Sequence, residues 1–204
     1  MIFSVVLTAF VLVAPVELPD KTMFATLVLA SRFRPWPVLT GVGAAFALQT
    51  AIAVAAGSLL SLLPRQWVAS GVAVLFAVGA VLLWRSADET GDEPDGDTAG
   101  GGSQKDRDWP AWRIALASFG ITFLAELGDL SQLATAGLAA RYEAPLSVFV
   151  GSFAALLLIA SLAVITGATL VARLRVRLVR RTAAVLFAAF AVLAAYEAVS
   201  YFTS

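Results

Sequence analysis

Two short stretches set acids into otherwise apolar sequence: ELPDKT at residues 17–22 and ELGDLS at residues 126–131. A charged side chain inside a bilayer costs at least about 2.5 kcal/mol unless it faces a cavity or a partner, so an intramembrane acid points to function. Glu17 and Asp20 are three residues apart, as are Glu126 and Asp129. On a helix each pair shares a face. Four carboxylates converging on one cavity make a hard-oxygen site suited to calcium, manganese or magnesium. Thr22, Ser131, Gln132 and Gln49 add neutral oxygens, and Pro19 leaves the carbonyl of Pro15 without its helical donor. Lys21 has no basic counterpart at Leu130 and is read as the ion-pair partner of a neighbouring acid. Like charges crowded in low dielectric favour protonated acids, so a cation that binds must displace protons.

Other chemistries are excluded by composition. The chain has no Cys and no His, which removes thiol redox chemistry, Cys/His zinc sites and His-based triads. Its formal net charge is zero, so nothing suggests nucleic acid. No cofactor is expected, and a metal ion enters only as cargo. With 60% hydrophobic residues and a mean hydropathy of +0.87, the chain reads as a polytopic membrane protein.

The elements that must position these acids are spanning helices, which need about 20 largely apolar residues each. Six stretches qualify: 2–31, 36–60, 65–85, 112–140, 146–171 and 180–202. The first and fourth are long enough to need a tilt or a break, and Pro15 and Pro19 favour a break near the first motif. Residues 86–108 hold eight of the fourteen acids and are Gly-rich, the composition of a solvated flexible linker. Residues 2–16 make a poor signal peptide, with no Lys or Arg in the n-region.

Laid over one another at an offset of 109 residues, 17–33 and 126–142 pair Glu17 with Glu126, Asp20 with Asp129, Thr22 with Ser131, Thr26 with Thr135 and Arg32 with Arg141. After one added residue, Gly41 meets Gly151 and Gly57 meets Gly167. These glycines and Gly43 are read as close-packing positions. The expected fold is an all-α integral membrane protein of six transmembrane helices in two inverted three-helix repeats, 1–85 and 112–204, joined by a linker at 86–111. Eleven basic residues fall on the side of loop 32–34, the linker and loop 173–181, against Arg65 and Arg141 on the other. The linker is then cytoplasmic, both termini lie outside, and the expected location is the plasma membrane. Glu197 is expected at the interface rather than in the site.

The two hexapeptides resemble the Glu-x-Gly-Asp-(Lys/Arg)-(Thr/Ser) signature of the GDT family, the calcium/manganese-proton antiporters of the eukaryotic Golgi and their bacterial manganese exporters. The resemblance covers nearly the whole chain. It implies a cation site of Glu17, Asp20, Glu126 and Asp129, with Thr22 and Ser131 beside them. Pro19 replaces the first motif's Gly, and Leu130 replaces the second motif's basic residue, which makes the cavity more acidic. The implied function is export of manganese, calcium or both in exchange for protons. The expected partners are the cation, protons and the bilayer, with a homodimer left open. A small-solute exporter of the amino-acid type, an intramembrane phosphatase-like enzyme and a scaffold are the competing readings; four acids on one cavity disfavour the first, and the shortage of basic residues beside them disfavours the second.

Overall fold

Prolines and glycines punctuate the chain where helices start and turn. The computed structural model describes residues 1–18, 21–89, 109–166 and 176–203, without the side chains of 21–25, 31, 86, 88–89, 166, 176–177 and 203. Within these residues lie eight helices: α1 (Phe3–Glu17), α2 (Lys21–Arg32), α3 (Pro35–Leu60), α4 (Arg65–Glu89), α5 (Ala111–Ala125), α6 (Leu130–Tyr142), α7 (Pro145–Thr166) and α8 (Val176–Thr203). Pro35 and Pro145 open α3 and α7, where a missing N–H breaks no intrahelical bond. α4 runs one turn past the expected 85, because Ser86–Glu89 contains no helix breaker and Ala87 is buried. Asp20, Pro19, Gly167, Arg173, Arg175 and linker residues 90–108 lie outside the described residues, as do the side chains of Lys21 and Thr22.

Among the described residues, four helical segments are long and apolar enough to cross a membrane: Pro35–Leu60, Arg65–Arg85, Pro145–Ile165 and Leu178–Phe202. α5 and α6 qualify as a fifth if taken as one span bent by 75°, and α1 is a shorter apolar helix. The expected breaks therefore occur, one after Glu17 and one between Ala125 and Leu130. Pro15 does not make the first of them; it sits inside α1.

Helix directions follow from the contacts. α3 and α5 run parallel, with Gly41 against the backbone carbonyl of Ala115 and Gln49 bonded to Phe123. α1 and α7 do the same, with Ile2 bonded to Ser147 and Gly151 against the carbonyl of Val6. The packing role expected of these glycines is thus visible, because a Cβ at Gly41 or Gly151 would enter the neighbouring helix backbone. α4 and α8 are antiparallel: Trp67 meets Phe202, Phe76 meets Phe187 at 5.1 Å, and Arg181 lies over Trp84.

The bundle has two ends. At one, Phe33 packs on Trp109, Arg113 covers the Trp109 ring at 4.2 Å, and Trp84 and Arg181 meet. At the other, Arg65 pairs with Glu143 at 3.4 Å and Arg141 with Glu197 at 2.8 Å. α5 starts at the first end and α6 finishes at the second, so the bent pair crosses the bundle. α3 and α7 are central, with 50% and 44% of their apolar windows buried, whereas α4 and α8, at 17% and 28%, leave most of theirs facing outward. Large apolar side chains cover those outer faces, as lipid contact requires.

Candidate cation site at two helix breaks

The second motif shows how the chain turns a spanning helix into a site. α5 stops at Ala125, Glu126 stands at its C-cap, and Asp129 stands at the N-cap of α6. Between them Gly128 takes φ +80°, the left-handed region open to glycine at no steric cost. A helix that stops inside a bundle exposes carbonyls at its end and N–H groups at the next start. Two glutamines meet part of that demand. Gln49 Nε2 of α3 donates to the Phe123 carbonyl at 2.9 Å, and Gln132 Nε2 donates to the Glu126 carbonyl at 2.7 Å. Gln132 Oε1 also accepts from the Gly128 N–H at 3.3 Å.

At this break one carboxylate oxygen each from Glu17, Glu126 and Asp129 comes together, all within 4.8 Å of one another. Ligands at about 2.3–2.6 Å from a calcium-sized ion are at most about 5 Å apart, so the spread suits one shared cation. Glu17 and Glu126 are buried, each 2% exposed, and Asp129 is half-buried. A small cavity of about 10 Å³ adjoins them, lined by Gln49, Thr50, Glu126, Ser131, Gln132 and Thr135 among others. That is room for about one water or one dehydrated ion. Asp129 stands at the positive end of the α6 dipole.

Several sequence expectations change here. Glu126 and Asp129 do not share one helix face; the 75° break separates them, and convergence comes from the turn. Gln132 uses both ends of its amide to hold its own loop, and Gln49 caps α5, so both build the site while lining it. Leu130 does not line the cavity. Its side chain packs beside Gly79 within the apolar cluster of Phe76 and Phe187. Ser131 is buried at the cavity wall, and Thr135, one turn on, donates to Ser152 at 3.1 Å. Glu197 lies away from the cluster in its pair with Arg141. Asp20 and the side chains of Thr22 and Lys21 fall outside the described residues.

Sequence reasoning passed over three buried hydroxyls, Thr50, Ser118 and Thr122. The signal was available: Ser118, Thr122 and Glu126 recur every four residues, the spacing of one helix face.

The sequence profile described as "Divalent cation/proton antiporter GDT1" matches residues 5–91 and 114–201. Among curated relatives, the "GDT1-like protein sll0615" of Synechocystis sp. is 34% identical over 199 residues, covering 91% of this chain and 96% of that protein. "GDT1-like protein 5" of Oryza sativa subsp. japonica is 30% identical, covering 87% and 88%. The Vibrio cholerae protein named "Putative manganese exporter" is 31% identical over 201 residues, covering 96% and 92%. No solved structure matches the chain.

Proposed function

Because this chain belongs to the GDT1 family of divalent cation/proton antiporters, we propose that it carries manganese, calcium or both across a membrane in exchange for protons. The carrying observation is the convergence of Glu17, Glu126 and Asp129 oxygens within 4.8 Å, two of the three acids being buried and the three drawn from both motifs. Asp20 joins them by its place in the repeat, and Ser131 and Thr22 add hydroxyl oxygens. A hard divalent cation satisfies such a cluster; without it, the same oxygens are satisfied by protons. One set of acids thus serves both ions, and exchange follows because they compete. The Vibrio cholerae relative's name favours manganese as one cargo.

Around this site the chain forms six spans as two inverted three-helix units, 1–85 and 112–204, with the 86–111 segment between them. Support comes from the paired parallel contacts, α3 with α5 and α1 with α7, and from the antiparallel α4 and α8. The end that holds Trp109, Arg113 and Arg181 faces the cytoplasm and both termini face outward, in the plasma membrane. Cysteines placed at 100 and 203 of this Cys-free chain report that orientation to an impermeant reagent in intact cells; labelling at 100 without 203 reverses it.

The deciding experiment is reconstitution in proteoliposomes, followed by manganese, calcium and magnesium uptake with and without a pH gradient. Uptake driven by an outward-directed supply of protons is expected for manganese or calcium. Equal uptake with and without the gradient would remove the exchange mechanism.

A further inference from the structure

The inner face of α5 is Ile114, Ser118, Thr122 and then Glu126, one residue every four, and all four are buried. Ser118 and Thr122 are 0% exposed, and neither hydroxyl has a hydrogen-bond partner among the described residues. Thr50, on the parallel helix α3 and in the wall of the central cavity, is 2% exposed, and its hydroxyl likewise has none. A buried hydroxyl without a partner costs about 1–3 kcal/mol, so three on the packed pair α3 and α5 need an occupant that supplies hydrogen bonds or takes oxygen ligands.

The repeat provides a control within the molecule. At the equivalent positions the inner face of α1 is Val5, Ala9, Val13 and Glu17, all buried. Ile159 and Ala160 of α7 stand where α3 has Gln49 and Thr50. Helix packing alone is therefore served by apolar side chains at these places, and Val13 has nearly the shape of Thr122. The hydroxyls of α5 answer a demand that α1 does not meet.

We propose that Ser118, Thr122 and Thr50 line the hydrated route along which a divalent cation and its waters pass between the Trp109 end of the bundle and the carboxylate cluster, and that the α1–α7 seam provides no equivalent route. Ser118 lies about 12 Å along α5 from Glu126, on the Trp109 side, at 1.5 Å rise per residue. Hydroxyl oxygens spaced about 6 Å apart replace lost hydration water step by step, as hard cations require. Ile114, 1% exposed and one turn nearer that end, closes the route in this conformation. The inference rests on the cation-transport reading for the identity of what passes, but the asymmetry of access does not.

The test uses full-length protein in proteoliposomes, with a small cationic methanethiosulfonate reagent as probe. Ser118→Cys and Thr122→Cys should be modified from the Trp109 side at least tenfold faster than Ala9→Cys and Val13→Cys are from either side. Ile114→Ala in the same background should speed modification further, and manganese should slow it. Similar rates in the two series, faster modification at 9 and 13, or no modification at any position overturns the proposal. Thr122→Val and Ser118→Ala supply the second reading: cation entry several-fold slower, with equilibrium affinity and thermal midpoint kept or raised. A lowered midpoint with unchanged entry makes the hydroxyls structural, and a lowered affinity with unchanged entry makes them site ligands; either result defeats a route. Since modification is read first without cation, one-sided access in a chain that moves no cation would count against the transport reading alone.

Discussion

α1 and α5 bury the same four places in the repeat, yet Ala9 and Val13 on one face Ser118 and Thr122 on the other as counterparts. Both faces end in a buried glutamate at a helix break, and both helices lie parallel to a partner that approaches through a glycine. What the halves share is the parallel packing and a buried acid at the helix break; what they do not share is the polarity of the buried helix face leading to it. Gly128 turns at φ +80°, a conformation closed to a proline, whose ring holds φ near −65°. Two copies of one sequence plan can thus bring acids to a common cluster while the helix faces leading to it differ in polarity.

The largest effect should come from challenging the equivalence of the two glutamates. Glu17→Gln and Glu126→Gln each keep volume while removing one charge and one exchangeable proton. Each should cut proton-driven manganese or calcium flux by roughly tenfold or more, and the double variant should be scarcely worse, since groups acting as a unit are non-additive. Normal transport by Glu126→Gln beside an inactive Glu17→Gln would dissolve the shared site and leave a mechanism built on the first motif.

Next come the two close approaches. Gly41→Val and Gly151→Val each drive a side chain into a neighbouring backbone carbonyl and should cost about 1–3 kcal/mol or more. The thermal midpoint in detergent should fall by several degrees for both. A clear fall for one with none for the other would show that α3–α5 and α1–α7 are not equivalent contacts.

A smaller effect should follow at the turn. A Cβ at Gly128 meets nothing within 4 Å, so Gly128→Ala is opposed only by backbone sterics, about 1–2 kcal/mol. Gly128→Asn should recover part of that in a thermal-shift assay, because asparagine tolerates the left-handed region better. Equal losses for both would mean that space rather than φ selects glycine.

The smallest effects lie at the far end from Trp109. The Arg65–Glu143 pair is exposed, with side chains 70% and 54% accessible, and Arg65→Ala should change stability by less than about 1 kcal/mol. Arg141→Ala should lose more, because Arg141 is largely buried, bonds Glu197 at 2.8 Å and covers the Tyr142 and Phe190 rings. Flux should survive both changes; its loss in Arg65→Ala would give that end a part in transport.

Much of this plan is legible in the sequence. The apolar stretches located the helices to within a few residues, since hydrophobic length is a local property. The acids marked the breaks, and Gly41 and Gly151 marked the close contacts, because only a missing Cβ permits them. The hydroxyls of Ser118 and Thr122 were harder to read. Serine and threonine on an apolar helix commonly bond their own backbone, and the sequence does not say when they fail to.

Composition, repeat and motif alone determined that this is a helical membrane protein carrying carboxylate pairs at two equivalent places. These follow from partition into lipid, φ preferences and ligand chemistry, which each residue carries with it. Only the tertiary structure decided that Glu126 and Asp129 converge across a 75° turn instead of along one helix face. It also decided that Leu130 turns toward Gly79, that Gln49 and Gln132 hold the break, and that the hydroxyls of Ser118 and Thr122 are buried without partners among the described residues. The reason is geometric: a break resets the direction of every side chain after it, so helical periodicity cannot be carried across, and the facing of each group is set by the helix that packs against it.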